Sequence, residues 1–114
     1  MKIAITTWGN RISPVFDAAQ TLLIADIDNQ SIHNKRYESF KPDDITALAA
    51  LLNREKVTAL VCGAISETYA ARLVENRIRM HAFVTGNAMD VLKCLASDNT
   101  IKPAFKMPGC TEDV

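Results

Sequence analysis

The chain has 114 residues, 48% of them hydrophobic and 23% charged, and its formal net charge at pH 7 is zero. This length and composition predict one soluble globular domain, and the zero net charge excludes the basic field that gathers nucleic acid. No apolar run approaches the length that crosses a bilayer, and the N-terminus enters a strand without a signal-peptide cleavage site. The charge and hydropathy thus predict neither a nucleic-acid nor a membrane partner. The three cysteines, an odd number without CxxC spacing, predict a reducing compartment, with the cytoplasm as the default.

The first half of the chain predicts three strands and a long loop. The predicted strands cover residues 2–8, 21–28 and 31–39. The first two are rich in β-branched and aliphatic residues, whereas the third is more polar and therefore typical of a sheet edge. The loop over 9–20 contains Pro14, which bars a helix through its middle, and Asn29-Gln30 predicts a tight turn between the second and third strands.

The second half of the chain predicts helices that alternate with buried strands. We predict helices from Ile45 to about residues 54–56, from about 67 to 75 and over 88–98, and strands that begin at Val57 and cover 78–84. Each helix carries apolar residues on one face, and helix-start residues precede each one: Pro42-Asp43-Asp44, Ser66 and Asn87. After residue 98 the periodic pattern stops, so we predict one domain over 1–98 and a flexible C-terminal tail over 99–114.

The order of these elements, β-β-β-α-β-α-β, predicts an α/β domain with a mixed five-stranded sheet. The most plausible spatial order of the strands is 3-2-1-4-5, in which the direction of chain progression reverses between strands one and four. A ligand crevice is expected at that point, outside the carboxyl ends of both strands. The residues predicted to line or flank this crevice are Trp8, Ser13, Phe16, Gly63, Ser66 and Gly86.

Two cysteines are candidate metal ligands. Cys62 closes the buried strand beside Gly63, and the helix N-terminus that follows would favour its thiolate form. The alternative is that Cys62 only packs in the core, as buried cysteines commonly do. Cys110 lies in the tail, where a thiol could fold over a soft metal centre, or could be a solvated residue without a role. Cys94, near the apolar stripe of the third predicted helix, is expected to pack.

Nothing in the sequence predicts an enzyme. No Ser-His-Asp arrangement, P-loop or GxGxxG sequence is visible, and helix starts and strand ends account for the acidic residues. The loop residue Phe16 has two interpretations, as a plug at the end of the sheet or as a wall of the ligand crevice. The residues alone favour the plug slightly.

Four segments together resemble a known family. They are Met1-Lys2-Ile3-Ala4-Ile5, Arg11-Ile12-Ser13-Pro14-Val15-Phe16-Asp17, Val61-Cys62-Gly63-Ala64-Ile65-Ser66 and Met107-Pro108-Gly109-Cys110. In this order they resemble the dinitrogenase iron–molybdenum cofactor biosynthesis family, which includes NifX-like and NafY-like proteins and the C-terminal domain of NifB. The resemblance implies a ribonuclease-H-like three-layer α/β/α domain. It also implies a carrier or chaperone of an iron–sulfur or iron–molybdenum cluster rather than a catalyst.

The resemblance departs from the family pattern at one position. Many members carry His-Phe-Gly where this chain has Val15-Phe16-Asp17, and that histidine is a suspected cluster ligand. Cys62 and Cys110 are then the thiols that would replace the missing imidazole. Two thiolates fall short of the four that usually hold an iron–sulfur cluster, so exogenous ligands or a second subunit would complete the set.

These observations favour two functional hypotheses over a third, a hydrolase, which only analogy with the ribonuclease H architecture suggests, and such analogy does not carry function. In the first, the protein binds and carries a metallocluster between donor and acceptor proteins without turnover, either alone or as a homodimer. In the second, it is a regulatory or interaction module that binds a small anion or a partner peptide in the same crevice.

Overall fold

A mixed sheet of six strands lies between two layers of helices. The structure is a computed structural model and describes residues 1–107. Its strands are β1 (Lys2–Trp8), β2 (Arg11–Ile12), β3 (Thr21–Asp28), β4 (Ser31–Ser39), β5 (Ala59–Val61) and β6 (Arg79–His81). Its helices are α1 (Ile45–Arg54), α2 (Glu67–Glu75) and α3 (Ala88–Asp98), with short 3-10 turns at Phe16–Ala18 and Pro103–Phe105.

The strand order β4-β3-β1-β5-β6 confirms the predicted sheet topology. The central strand β1 pairs antiparallel with β3 and parallel with β5, so the chain reverses its direction of progression there, as expected. The sequence missed β2, which pairs with the end of β1. Two residues are too few to show an alternating pattern, and the turn before them rests on Gly9, whose φ is +65°.

Side-chain capping fixes the start of each helix. Asp44, Ser66 and Asn87 accept backbone N–H bonds at 3.1, 3.3 and 3.1 Å from the residue three positions further on. These contacts confirm all three helix starts that the sequence predicts.

Two apolar layers hold the helices to the sheet. Helices α1 and α2 cover one face, where their stripes pack on Ala4, Leu22, Ile24 and Leu60. Helix α3 covers the other face and packs on Ile3, Ile5, Leu23 and Val61. This arrangement confirms the three-layer α/β/α fold. None of the helices within residues 1–107 has the length and hydropathy needed to cross a membrane.

The segment after α3 is packed where the sequence predicted a flexible tail from residue 99. Ile101 is only 4% exposed, and Phe105 packs against the α3 layer. The backbone N–H of Thr85 donates to Phe105 O at 2.6 Å, and that of Met107 donates to Phe83 O at 2.9 Å. The packed domain therefore extends to residue 107, because Ile101 is buried and Phe105 is partly buried although no periodic pattern marks them. The rest of the predicted tail, including Cys110, lies outside the described residues.

Candidate functional site

The loop after β1 fills the gap that the sequence predicted as a ligand crevice. The N–H of Ser13 donates to Thr6 O at 3.1 Å, so the loop continues alongside β1. The N–H of Ala64 donates to Pro14 O at 2.9 Å, and the N–H of Phe16 donates to Ala64 O at 2.8 Å. The loop therefore lies between β1 and the segment after β5 as an irregular extra strand. The expectation of an open crevice there is wrong, because the chain's own backbone occupies it.

Cys62 lies in the apolar layer beneath this loop. It is 0% exposed and packs in the core on the α1 and α2 side of the sheet. Burial raises the pKa of the thiol to about 12, because an apolar environment disfavours the charged form. The expectation of an accessible thiolate is therefore wrong for this structure, and the packing interpretation describes the geometry.

Gly63 and Gly86 make room for this chain rather than for a ligand. A Cβ at Gly63 would collide with the carbonyl oxygens of Ser13 and Pro14. At Gly86, whose φ is +118°, a Cβ would stand 3.1 Å from the ring of Phe105. Both glycines were predicted to adjoin the ligand, and the structure places other parts of the chain against them.

Three further predicted site residues have structural contacts. The Ser13 hydroxyl is buried and donates to Val15 O at 2.7 Å. The Phe16 ring is fully buried, with its centroid 6.0 Å from that of Phe40 and 5.8 Å from that of Tyr69. Phe16 therefore plugs the end of the sheet. Ser66 is exposed and caps α2.

Trp8 is the predicted site residue that lies beside an open pocket. Its side chain is 63% exposed, and a surface pocket of about 440 Å³ is lined by Trp8, Gly9, Arg11 and Pro14. We call this the Trp8 pocket. Arg11 is exposed, and none of the ion pairs within residues 1–107 involves it. Sequence reasoning missed Arg11 as a site residue, although it opens one of the segments that carry the family resemblance.

The described residues do not supply a ligand set for a metal. Within residues 1–107, no group of three or more His, Cys, Asp or Glu side chains is placed to hold an ion. The two thiols in this range, Cys62 and Cys94, are both free and buried. The Cys94 thiol donates to Thr100 O at 3.2 Å, as expected for a packing residue. Any thiolate ligand would therefore have to come from beyond residue 107 or from another molecule.

The structure is a three-layer α/β/α domain in which the direction of chain progression reverses at β1 and the loop over residues 13–16 fills the resulting gap. Known proteins share this class of fold. The chain belongs to the dinitrogenase iron-molybdenum cofactor family, whose sequence profile matches residues 1–98. This membership supports a cofactor-associated role. No curated protein matches the sequence.

Solved structures share the same fold. PH0822 superposes with a TM-score of 0.79 at 16% identity, covering 90% of this chain and 93% of that one. A protein from Methanocaldococcus jannaschii, provisionally named a dinitrogenase, has a TM-score of 0.69 at 22% identity, covering 90% and 92%. An NMR structure of that protein also gives 0.69, at 21% identity, covering 97% and 95%. At these identities the likeness establishes the fold.

Proposed function

We propose that this protein is a cytoplasmic carrier that binds an iron–sulfur or iron–molybdenum-type cluster and passes it from a donor to an acceptor protein without turnover. The observation that carries the proposal is membership of the iron-molybdenum cofactor family over residues 1–98. The cluster is cargo in this proposal, so the chain needs to hold it only transiently.

The Trp8 pocket is the proposed contact surface for the cargo. Its volume of about 440 Å³ falls in the range of about 300–1,000 Å³ that is usual for small-molecule sites. Clusters with thiolate and sulfide ligands are commonly anionic, and the Arg11 guanidinium presents several N–H donors to such a charge. The exposed indole of Trp8 would cover one side of the cargo and exclude water from it.

Cys110 is the proposed thiolate ligand. It follows Met107 by three residues, so chain length alone keeps the two Cα atoms within about 11 Å of each other. Met107 in turn is held at Phe83, beside the carboxyl end of β6. A single thiolate cannot complete the coordination of a cluster, so we expect exogenous thiols or a partner protein to supply the remaining ligands.

Cys62 is not part of this proposed ligand set. The thiolate is the form that binds metal, and a thiol whose pKa is about 12 stays protonated at neutral pH. Ligation by Cys62 would require the loop over Ser13 and Pro14 to leave its hydrogen bonds to Ala64 and Thr6.

Anaerobic reconstitution tests this proposal. Purified protein is incubated with iron, sulfide and dithiothreitol, desalted, and analysed for iron per chain and for visible absorption. We expect bound iron in the wild type and in Cys62→Ala, and its loss in Cys110→Ser and Arg11→Ala. Cys94→Ser is a matched control, since serine can keep the hydrogen bond to Thr100. A wild type that binds no iron, or a loss of iron confined to Cys62→Ala, contradicts the proposal.

A second candidate function is an interaction module that binds a small anion or a partner peptide in the Trp8 pocket. The observation that favours it is the lack of a three-ligand group within residues 1–107, beside an exposed Trp8 and Arg11. Trp8 is the only tryptophan in the chain, so its fluorescence reports on this pocket. Saturable quenching by inorganic phosphate or molybdate, lost in Arg11→Ala, together with failure to bind iron, would favour this function.

A further inference from the structure

Strand β4 lies at one edge of the sheet. Within residues 1–107, no strand pairs with the backbone groups on its outer side. The N–H of Phe40 donates to Gln20 O at 3.1 Å, which fixes the alternation along this strand. In an antiparallel ladder every second residue directs its N–H and C=O to the neighbouring strand. Arg36 and Glu38 therefore bond toward β3, and Tyr37 between them directs its N–H and C=O outward.

The side chains on this edge of β4 are complementary to the same side chains on a second copy of the chain. Arg36 and Glu38 lie one residue before and one residue after Tyr37, on the same face of the strand. If a second copy paired antiparallel with β4 about Tyr37, Arg36 of each copy would lie opposite Glu38 of the other. The two Tyr37 residues would lie opposite each other and exchange N–H···O=C bonds. Opposite charges and aromatic pairs are the favourable cross-strand neighbours in antiparallel sheets.

We propose that β4 is the interface of a homodimer, in which a second copy of this chain extends the sheet by antiparallel β4–β4 pairing about a two-fold axis at Tyr37. Such a two-fold contact is isologous, so one patch satisfies both partners. Tyr37 is 59% exposed in the single chain, and pairing would cover part of this apolar area. This inference does not depend on the proposed carrier function.

Contacts within the chain prepare this edge for pairing. The Arg36 Nε lies 3.3 Å from Glu38 Oε1, and the Arg36 guanidinium also forms an ion pair with Glu55 at the end of α1. Arg36 is thus already ordered on its strand, so pairing costs little further side-chain entropy.

The bulge in β4 limits the length of the shared ladder. The register shifts between Ile24 and Asp26, and Asn34 on the facing strand has a φ of +55°. The regular register of β4 therefore covers only residues 36–39. A ladder this short buries less than the roughly 1,200 Å² typical of stable complexes, so the dimer is weak and depends on concentration.

The symmetry of this dimer separates the two Trp8 pockets. A two-fold axis through an antiparallel strand pair stands perpendicular to the sheet and reverses the direction of every strand. The carboxyl ends of β1 in the two copies then point to opposite ends of the extended sheet. Each copy keeps its own pocket open, so loss of dimerisation and loss of cargo binding can be measured separately.

Charge reversal at the edge tests the dimer by sedimentation equilibrium on the full chain. Glu38→Arg places positive charges opposite one another, and Arg36→Glu places negative charges opposite one another. We expect each variant alone to dimerise with a dissociation constant at least about tenfold higher than that of the wild type. An equimolar mixture of the two variants restores both opposite-charge pairs and is expected to recover the dimer. Glu75→Arg on the exposed face of α2 is the matched control and should behave as the wild type.

A second measurement requires no variant. In the dimer the outward N–H of Tyr37 becomes hydrogen-bonded, so its amide exchange in the wild type should slow as protein concentration rises. The proposal is overturned if the wild type is monomeric up to about 1 mM, if the mixture of variants does not associate, or if the exchange of Tyr37 is independent of concentration.

Discussion

The thiol of Cys62 and the side chain of Arg11 differ in their access to solvent. The thiol is enclosed in the apolar layer under α1 and α2, whereas Arg11 is exposed. Because a cysteine binds metal as an accessible thiolate, the burial of Cys62 prevents it from acting as a ligand in this structure. Trp8, at the end of β1, and Arg11, in β2, are exposed to solvent at this edge of the sheet. The accessible side chains of this edge therefore belong to β1 and β2 rather than to Cys62 after β5.

The raised pKa of Cys62 predicts a loss of stability at alkaline pH. The folded thiol ionises near pH 12, whereas its ordinary pKa is 9.0. Between these values the unfolded state has released a proton that the folded state keeps, so the free energy of unfolding falls as pH rises. Across this window we expect the melting temperature of the wild type to fall more steeply than that of Cys62→Ala. Identical slopes in thermal melts from pH 8 to 11 would contradict the buried thiol.

Gly63 is expected to tolerate no side chain. Gly63→Ala drives a Cβ into the carbonyl oxygens of Ser13 and Pro14, and we expect it to lower the free energy of unfolding by about 3 kcal/mol. Gly9→Ala is the control, because nothing lies within 4 Å of the position its Cβ would take. Only the positive φ of Gly9 opposes that change, at about 1–2 kcal/mol. Urea denaturation measures the free energy of unfolding of both variants. Equal losses in the two would show that the loop is not in close contact with Gly63.

Among the structural elements, those that depend on local sequence patterns were predicted, whereas segments held by contacts between distant parts of the chain were missed. The three helices and their caps follow from periodic apolar residues and from Asp44, Ser66 and Asn87. The position of the loop over residues 13–16 could not be predicted, because the loop is held by backbone hydrogen bonds such as Ala64 N–H to Pro14 O. Such bonds do not depend on side-chain type and leave no pattern in the sequence. The packed segment after α3 was missed because Ile101 is a single apolar residue without a period.

The capping of α1 gives a test at this scale. Asp44→Ala removes the carboxylate that accepts the N–H of Ala47 at 3.1 Å, and we expect it to lower the free energy of unfolding by about 1 kcal/mol. Asp43→Ala changes the same residue type one position earlier, where it does not cap the helix. It should change stability by less than about 0.5 kcal/mol. Chemical denaturation of both variants shows whether the capping hydrogen bond or the local negative charge stabilises α1. Equal losses of stability would contradict the role of the cap.

At the scale of the whole molecule, residues 99–107 belong to the folded domain. They add Ile101 to the α3 layer and bring Phe105 and Met107 against the loop that follows β6. The family match ends at residue 98, whereas the packed structure continues beyond it. This continuation holds Met107 beside Phe83, in the segment that follows β6.

The contribution of this segment can be measured at Ile101. Ile101→Ala leaves a cavity in the α3 layer, and we expect it to lower the free energy of unfolding by about 2–3 kcal/mol. Lys102→Ala, at the exposed neighbouring position, should change it by less than about 0.5 kcal/mol. If both variants unfold at the wild-type midpoint in urea, the domain ends before this segment.

We propose that the chain carries a metallocluster by means of Cys110 and the Trp8 pocket, and that Cys62 serves only the core. The most direct measurement is the iron and molybdenum content per chain after anaerobic purification of the wild type, Cys62→Ala and Cys110→Ser. We expect metal in the wild type and in Cys62→Ala, and little or none in Cys110→Ser. A wild type without metal, or a metal content that depends on Cys62 and not on Cys110, would contradict it.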